Sequence, residues 1–313
     1  MDETIGEGRE SVADGLVECV PNFSEGRRPE VIAAIRDAVA ATKGVRILNV
    51  QSDADHNRFV LTYVVPESHA VDAGMAGARA ALALIDLREH EGAHPRMGAL
   101  DVFPFVPLGD LPMARCVALA EELGARIAAE LDIPVYLYEE AARDPKRVNL
   151  EYVRKGGFEG LRETVPGDPA RRPDFGPAAV HPSAGAVAVG ARRALIAFNV
   201  YLGTPDPSLA KAIAKAIRHS SGGLRYVKGL GLEMPGTGTT QVSMNLTNFK
   251  ATSLVTVMDL IRAEAARWGV PVLHSEVIGL VPMDALLDAA QAFLQLRDFS
   301  RDQVLERRLL LEE

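Results

Sequence analysis

The feature that most limits what this chain can fold into is a hydrophobic pattern that passes twice through the same order of elements. In the first half, an apolar run at residues 16–20 leads into Val31, Ile32, Ile35 and Val39 at helical spacing after Pro29. Residues 45–50 then read as a strand, and Phe59, Leu61, Tyr63 and Val65 alternate across 58–65 as a half-buried strand requires. A polar loop at 51–57 joins the two. An Ala-rich helix over 68–87, a strand over 100–106, a helix over 113–130 and a strand over 135–138 complete this half. The second half runs strand 194–202, helix 208–218, strands 224–230 and 239–246, helix 253–268, strand 270–277 and helix 284–294. Each half therefore carries the β-α-β-β-α-β order plus a helix, the split βαβ unit of ferredoxin-like sheets. The fold class is α/β (α+β): two ferredoxin-like subdomains, each a sheet covered by helices, with a ligand cleft expected between them.

Boundaries come from the same pattern. Residues 1–15 are acidic and glycine-containing and read as a loose extension, 16–189 as the first subdomain, 190–300 as the second and 301–313 as a tail. Residues 156–190, rich in Pro, Gly and Arg, read as an irregular connecting segment, and loops of that length are commonly functional. With 48% hydrophobic residues, 313 residues suffice for two cores.

Composition removes several function classes. The 34 Lys and Arg against 42 Asp and Glu give a net charge of −8, so no general attraction to nucleic acid or anionic membrane is expected, and anionic ligands need a local basic cluster. Cys19 and Cys116 offer neither a CxxC pair nor zinc-knuckle spacing, so neither a disulfide scaffold nor a metal is expected. The start lacks a signal-peptide pattern and no run of about 18 apolar residues occurs, which reads as a cytoplasmic protein.

Two segments concentrate chemistry. His94 lies between a helix end and an apolar strand, where loops often present catalytic side chains. Pro95 restricts the backbone on both sides of itself, and Arg96 adds a carboxylate-binding guanidinium two residues on. A lone histidine near a helix end also serves as a cap or surface residue. The run Ser52-Asp53-Ala54-Asp55-His56-Asn57-Arg58 packs two carboxylates, an imidazole, an amide and a guanidinium into seven residues. It opens like a calcium loop, but Arg58 stands where that loop needs Gly, leaving a substrate site or a solvated loop with Asx turns. Gly236-Thr237-Gly238 lacks the Lys of a phosphate loop and joins two strands, so a hairpin turn accounts for it.

Long ordered motifs carry a family resemblance. Leu16-Val17-Glu18-Cys19-Val20-Pro21-Asn22-Phe23-Ser24-Glu25-Gly26, His94-Pro95-Arg96-Met97-Gly98-Ala99-Leu100-Asp101-Val102, Pro134-Val135-Tyr136-Leu137-Tyr138, Asp174-Phe175-Gly176-Pro177, and Gly190-Ala191-Arg192 with Leu195-Ile196-Ala197-Phe198-Asn199 closely resemble the formiminotransferase family. The resemblance spans residue 16 to about 300 and implies transfer of a formimino group between N-formimidoyl-L-glutamate and tetrahydrofolate in histidine breakdown. Tetrahydrofolate is then the co-substrate, the partners are small molecules, a homodimer stays open, and no cyclodeaminase domain is expected within these 313 residues. The family's catalytic histidine falls on His94. Its folate-binding segment falls on Gly176, Pro177, Ala178, Ala179, Val180, His181, Pro182, Ser183, Ala184 and Gly185. Gln51 stands where vertebrate members carry an acidic residue, so the carboxylate that supports the histidine comes from Asp53 or Asp55 or is absent. Ala184 replaces a bulky aromatic of those members. Arg58, Arg96 and Arg192 are the candidates to hold glutamate carboxylates, with Asn22, Asn57 and Asn199 as further substrate-binding candidates. The alternatives are a related transferase using glycine or 5-formyltetrahydrofolate, and a non-catalytic folate-binding protein.

Overall fold

The computed structural model describes residues 15–92, 94–234 and 236–311, with no side-chain description at Leu310 and Leu311. All but Gly15 of the expected extension at 1–15 lies outside the described residues. The chain divides after Arg192 into two compact units.

The first unit runs β1 (Leu16–Cys19), β2 (Asn22–Phe23), α1 (Pro29–Ala40), β3 (Arg46–Asp53), β4 (Arg58–Pro66), α2 (Glu67–Leu84), β5 (Leu100–Pro107), α3 (Met113–Leu131), β6 (Val135–Glu139), α4 (Leu150–Val153), α5 (Gly157–Thr164) and β7 (Val187–Ala191). β1 and β2 are pieces of one strand lying between β4 and β5, interrupted at Val20 and Pro21. β3 is antiparallel outside β4, which gives the second-third-first-fourth order of a ferredoxin-like sheet. β7 then adds parallel to β5, and β6 parallel to β7.

Local chemistry sets the element ends. The Glu25 carboxylate accepts from the N–H groups of Arg27 and Arg28 at 2.8 and 2.9 Å, after which Pro29 starts α1. Small residues on α2 allow close packing: a Cβ on Gly74 would come within 2.8 Å of Leu123 on α3. One face of the sheet packs with α1, α2 and α3 around Phe23, Phe59, Tyr63, Phe103 and Phe105. On the other face, Val102, Tyr136, Tyr138 and Ala188 pack with Val153 and Leu161 of α4 and α5.

Two expectations change here. The segment 156–190 is not an irregular connection. It carries α5 and β7, and β7 is fully buried between β5 and β6. Its apolar run of Val and Ala at 187–191 has no alternating pattern because both of its faces are covered. The polar loop expected at 51–57 shrinks to a turn at 54–57, since Gln51, Ser52 and Asp53 continue β3 opposite Val60, Phe59 and Arg58. Polar residues on an edge strand give no apolar periodicity to read.

The second unit runs β8 (Ile196–Leu202), α6 (Pro207–Ile217), β9 (Val227–Met234), β10 (Thr239–Leu246), α7 (Leu254–Arg267), β11 (Val272–Ile278), α8 (Met283–Leu294) and α9 (Leu305–Leu311). Its four strands lie in the order β11-β8-β10-β9, antiparallel throughout, the ferredoxin-like arrangement again. Asp206 and Ser253 accept main-chain N–H bonds that cap α6 and α7. Ile196, Phe198, Val200 and Leu202 face the helices, with Ile213, Ile217, Val257 and Ile261. The expected hairpin at 236–238 joins β9 and β10. No helix among the described residues is long and apolar enough to cross a membrane.

A close backbone crossing ties β7 to the segment before β5. Gly98 bridges Gly185, and a Cβ on Gly98 would fall 2.0 Å from the carbonyl oxygen of Ala186. Gly98→Ala must displace backbone, so it should destabilise the protein by roughly 3 kcal/mol or more. By contrast, Gly160 lies inside α5 with open space where a Cβ would sit, so Gly160→Ala should stabilise by about 0.5–1 kcal/mol. Urea midpoints of the two variants check both signs.

Candidate active site

His94 sits where three chain segments meet. The turn between β3 and β4 is fastened to the segment before α1, because Asn57 accepts from Gly26 N–H through its Oδ1 at 2.8 Å. Its Nδ2 donates to the carbonyl of Glu91 at 2.9 Å, which brings the stretch before His94 to the same place. Gly26 and Gly92 permit this: a Cβ on either would fall 2.1 and 2.4 Å from the carbonyl oxygens of Asp53 and His56. Asn57 itself takes φ +47°, a left-handed conformation that Asn tolerates. The result sets the rings of His56 and His94 edge to face, 5.9 Å between centroids.

His94 Nδ1 lies 2.7 Å from the carbonyl oxygen of Pro95. A carbonyl only accepts, so Nδ1 carries the proton and Nε2 keeps its lone pair. Behind the imidazole is a charge cluster centred on Asp101. In the pairing of β2 with β5, Asn22 opposes Val102 and Phe23 opposes Leu100, so Asp101 is the extra residue of a β-bulge, a device that re-aims a side chain. Its fully buried carboxylate accepts from Arg58 Nη1 at 2.6 Å and Arg154 Nη2 at 2.5 Å through one oxygen, and from Met97 N–H at 2.8 Å through the other. Arg58 also donates from Nε and Nη2 to Asn22 Oδ1, at 3.2 and 2.8 Å.

These contacts set the protonation states. Burial alone would raise the Asp101 carboxyl, but Arg154, Arg58 and the Met97 N–H outweigh it and hold the group below its ordinary value. His94 is pushed down to about 4, first by burial and then by the charges of Arg58 and Arg154. The imidazole is therefore a free base at neutral pH. Asp53 is lowered by hydrogen bonds from the His56 main chain and ring, with His56 Nδ1 2.8 Å from Asp53 Oδ2. Asp53 is thus bonded to His56, whose ring lies beside that of His94, and Asp55 is exposed on the turn. Asp101 is a carboxylate whose charge reaches His94.

The formiminotransferase domain, N-terminal subdomain, matches this chain over residues 16–192, and the formiminotransferase domain matches over 197–308. A glutamate formimidoyltransferase of Thermoplasma acidophilum is 49% identical over 296 residues, spanning 94% of this chain and 97% of that protein. That of Streptococcus pyogenes serotype M1 is 45% identical, spanning 94% and 99%. The formimidoyltransferase-cyclodeaminase of Rattus norvegicus is 45% identical over 88% of this chain and 52% of its own length. The chain belongs to the formiminotransferase family.

The other residues expected to serve a formiminotransferase are spread more widely. Arg96 is engaged inside the protein, donating to His90 Nδ1 at 3.0 Å and pairing with Glu159 at 2.8 Å. Arg192 lies beside Glu18 and Tyr138, and its N–H donates to the carbonyl of Phe105. Asn199 belongs to the second unit, where it, Tyr201 and Gln241 converge on Glu276 Oε1 at 3.0, 2.9 and 3.4 Å. In the segment 176–185, Ala178 and Ala179 are exposed. His181 and Gly185 exchange main-chain bonds, His181 Nδ1 accepts from Ala184 N–H at 3.0 Å, and the Ala184 carbonyl accepts from Ala99 N–H at 2.9 Å. That turn is thus bound to the strand that comes after His94.

Sequence reading gave no role to Asp101, Arg154 or Glu159. Asp101 left a signal, as the single charge within an apolar strand. Arg154 left none, because only packing of the turn after α4 brings it to β5.

Removing the Asp101 charge leaves two guanidiniums uncompensated, which costs roughly 3–5 kcal/mol in a buried pair. Asp101→Asn should therefore lose that much stability at pH 7. Because the carboxyl is depressed in the folded state, its contribution is full above the ordinary carboxylate range and fades as pH falls through the depressed value. Urea unfolding at pH 7 and at pH 3 should show the gap between variant and wild type narrowing in acid.

Proposed function

We propose that this chain moves a formimino group between N-formimidoyl-L-glutamate and tetrahydrofolate, with His94 as the general base. The observation that carries the reading is the state of His94: an uncharged imidazole with Nε2 unprotonated, beside two guanidiniums in a site that an anionic substrate would seek. Membership of the formiminotransferase family supplies the reaction class.

As tetrahydrofolate N5 attacks the formimino carbon, the C–N5 bond forms and the N5 proton passes to His94 Nε2. The tetrahedral adduct then breaks its bond to the glutamate nitrogen, which takes the proton back as glutamate leaves. The adduct is neutral or cationic rather than an oxyanion, so a carboxylate of the turn after β3, Asp53 or Asp55, suits it better than an oxyanion hole would. A base of low proton affinity strengthens when substrate arrives, since a substrate carboxylate offsets part of the charge of Arg58 and Arg154. Folate binding at 176–185 is supported by the bonding of the turn at 181–185 to residues 97–99, directly after His94.

His94→Ala should lower kcat by roughly 10² to 10⁴-fold while tetrahydrofolate binding by calorimetry persists. In the wild type, kcat/KM should stay level from neutral pH downward and fall only on approaching pH 4, where His94 takes up a proton. Near-normal turnover in the variant rules out His94 as the base. Parallel assays with formimidoylglycine and 5-formyltetrahydrofolate test the donor, and faster transfer from either would replace the glutamate assignment.

A further inference from the structure

We propose that Arg154 is a positioning residue for His94, fixing the histidine's segment through the shared carboxylate of Asp101 and placing a second guanidinium beside the imidazole. It rests on the reading of His94 as the base, and three observations point to it.

Neutralising one buried carboxylate takes one cation, and Arg58 already meets Asp101 at 2.6 Å. Arg154 on the same oxygen leaves one positive charge in excess, and both guanidiniums act on His94. The Nε of Arg154 is moreover buried without a hydrogen-bond partner among the described residues. An unsatisfied buried donor is costly, so this guanidinium is not arranged for pairing alone. Finally, the chain after Arg154 is bonded to the chain after His94: Phe158 N–H donates to the Arg96 carbonyl at 2.9 Å, and Glu159 pairs with Arg96. The second oxygen of Asp101, on Met97 N–H, closes the loop on the other side.

The charged and titratable groups around the imidazole come from several elements. Arg58 comes from β4, Asp101 from β5, Arg154 from the turn after α4, and His56 from the turn after β3, its Nδ1 held by Asp53. The Asp53–His56 pair is half-exposed and solvent-screened, whereas the Asp101 cluster is buried, so the guanidiniums dominate the field at His94. They resist a positive charge on the ring and keep it in the neutral form, with the Nε2 lone pair free at neutral pH.

The test tracks the His94 ring resonances by NMR against pH in the full chain without ligand, which needs no substrate. In the wild type the midpoint should lie near 4. Arg154→Gln and Arg154→Met should raise it by roughly one unit, with the acid limb of kcat/KM moving in step. Arg154→Lys keeps the charge and should leave the midpoint in place, while kcat falls through loss of the planar fork. An ordinary wild-type midpoint near 6.5 overturns the proposal without any variant. So does an unmoved midpoint in both neutral variants when they melt as the wild type does. If the midpoints move as expected but no formimino donor gives product, the functional reading fails, while the hold of Arg154 on the proton affinity of His94 stands.

Discussion

The Asp101 carboxylate, buried between Arg58 and Arg154, is the interaction on which the rest of the site depends. A lone carboxylate in that position would protonate or unfold its surroundings, and a lone guanidinium, which keeps its charge, would have to turn out to solvent or unfold them. Together they let charge persist inside a sheet whose neighbours are Phe, Val and Leu. Because the carboxylate also holds Met97 N–H, the cluster anchors the segment that carries His94. Stability and proton affinity are thereby set by the same three side chains.

Around that cluster, irregular segments are held by glycine rather than by length. Gly26, Gly92, Gly98 and Gly185 each lie so near a neighbouring carbonyl that no side chain fits. Close backbone contact replaces side-chain packing there, which lets main-chain hydrogen bonds bind the turn at 181–185 to the strand after His94. Loops fixed this way hold a catalytic group with little loss of order, as a site needing a defined geometry requires.

The two units share one topology and use it differently. In the first, β6, β7, α4 and α5 extend the sheet and cover part of its second face, which buries the charge cluster. In the second, the face away from α6 and α7 carries Asn199, Tyr201, Gln241 and Glu276, a polar network in which Asn199 and Gln241 are buried, with Tyr201 stacked on His274 at 4.4 Å. The difference arises from the elements added after the common six, since the core order is the same.

Periodicity alone revealed the doubled βαββαβ order, because a helix or strand with one buried face writes that face into its sequence. Motif order alone singled out His94 as a candidate and pointed to the family. Sequence did not reveal β7, whose buried faces erase alternation, or the reach of β3, whose polar edge never shows one. It also could not pair Asp101 with Arg154, fifty-three positions apart. That meeting depends on a bulge in β5 and on the turn after α4 packing across it. The chain's own pattern thus determined which elements form, since that depends on neighbouring residues. Only the tertiary structure decided which charges face His94, since burial and Coulomb interaction depend on distance in space.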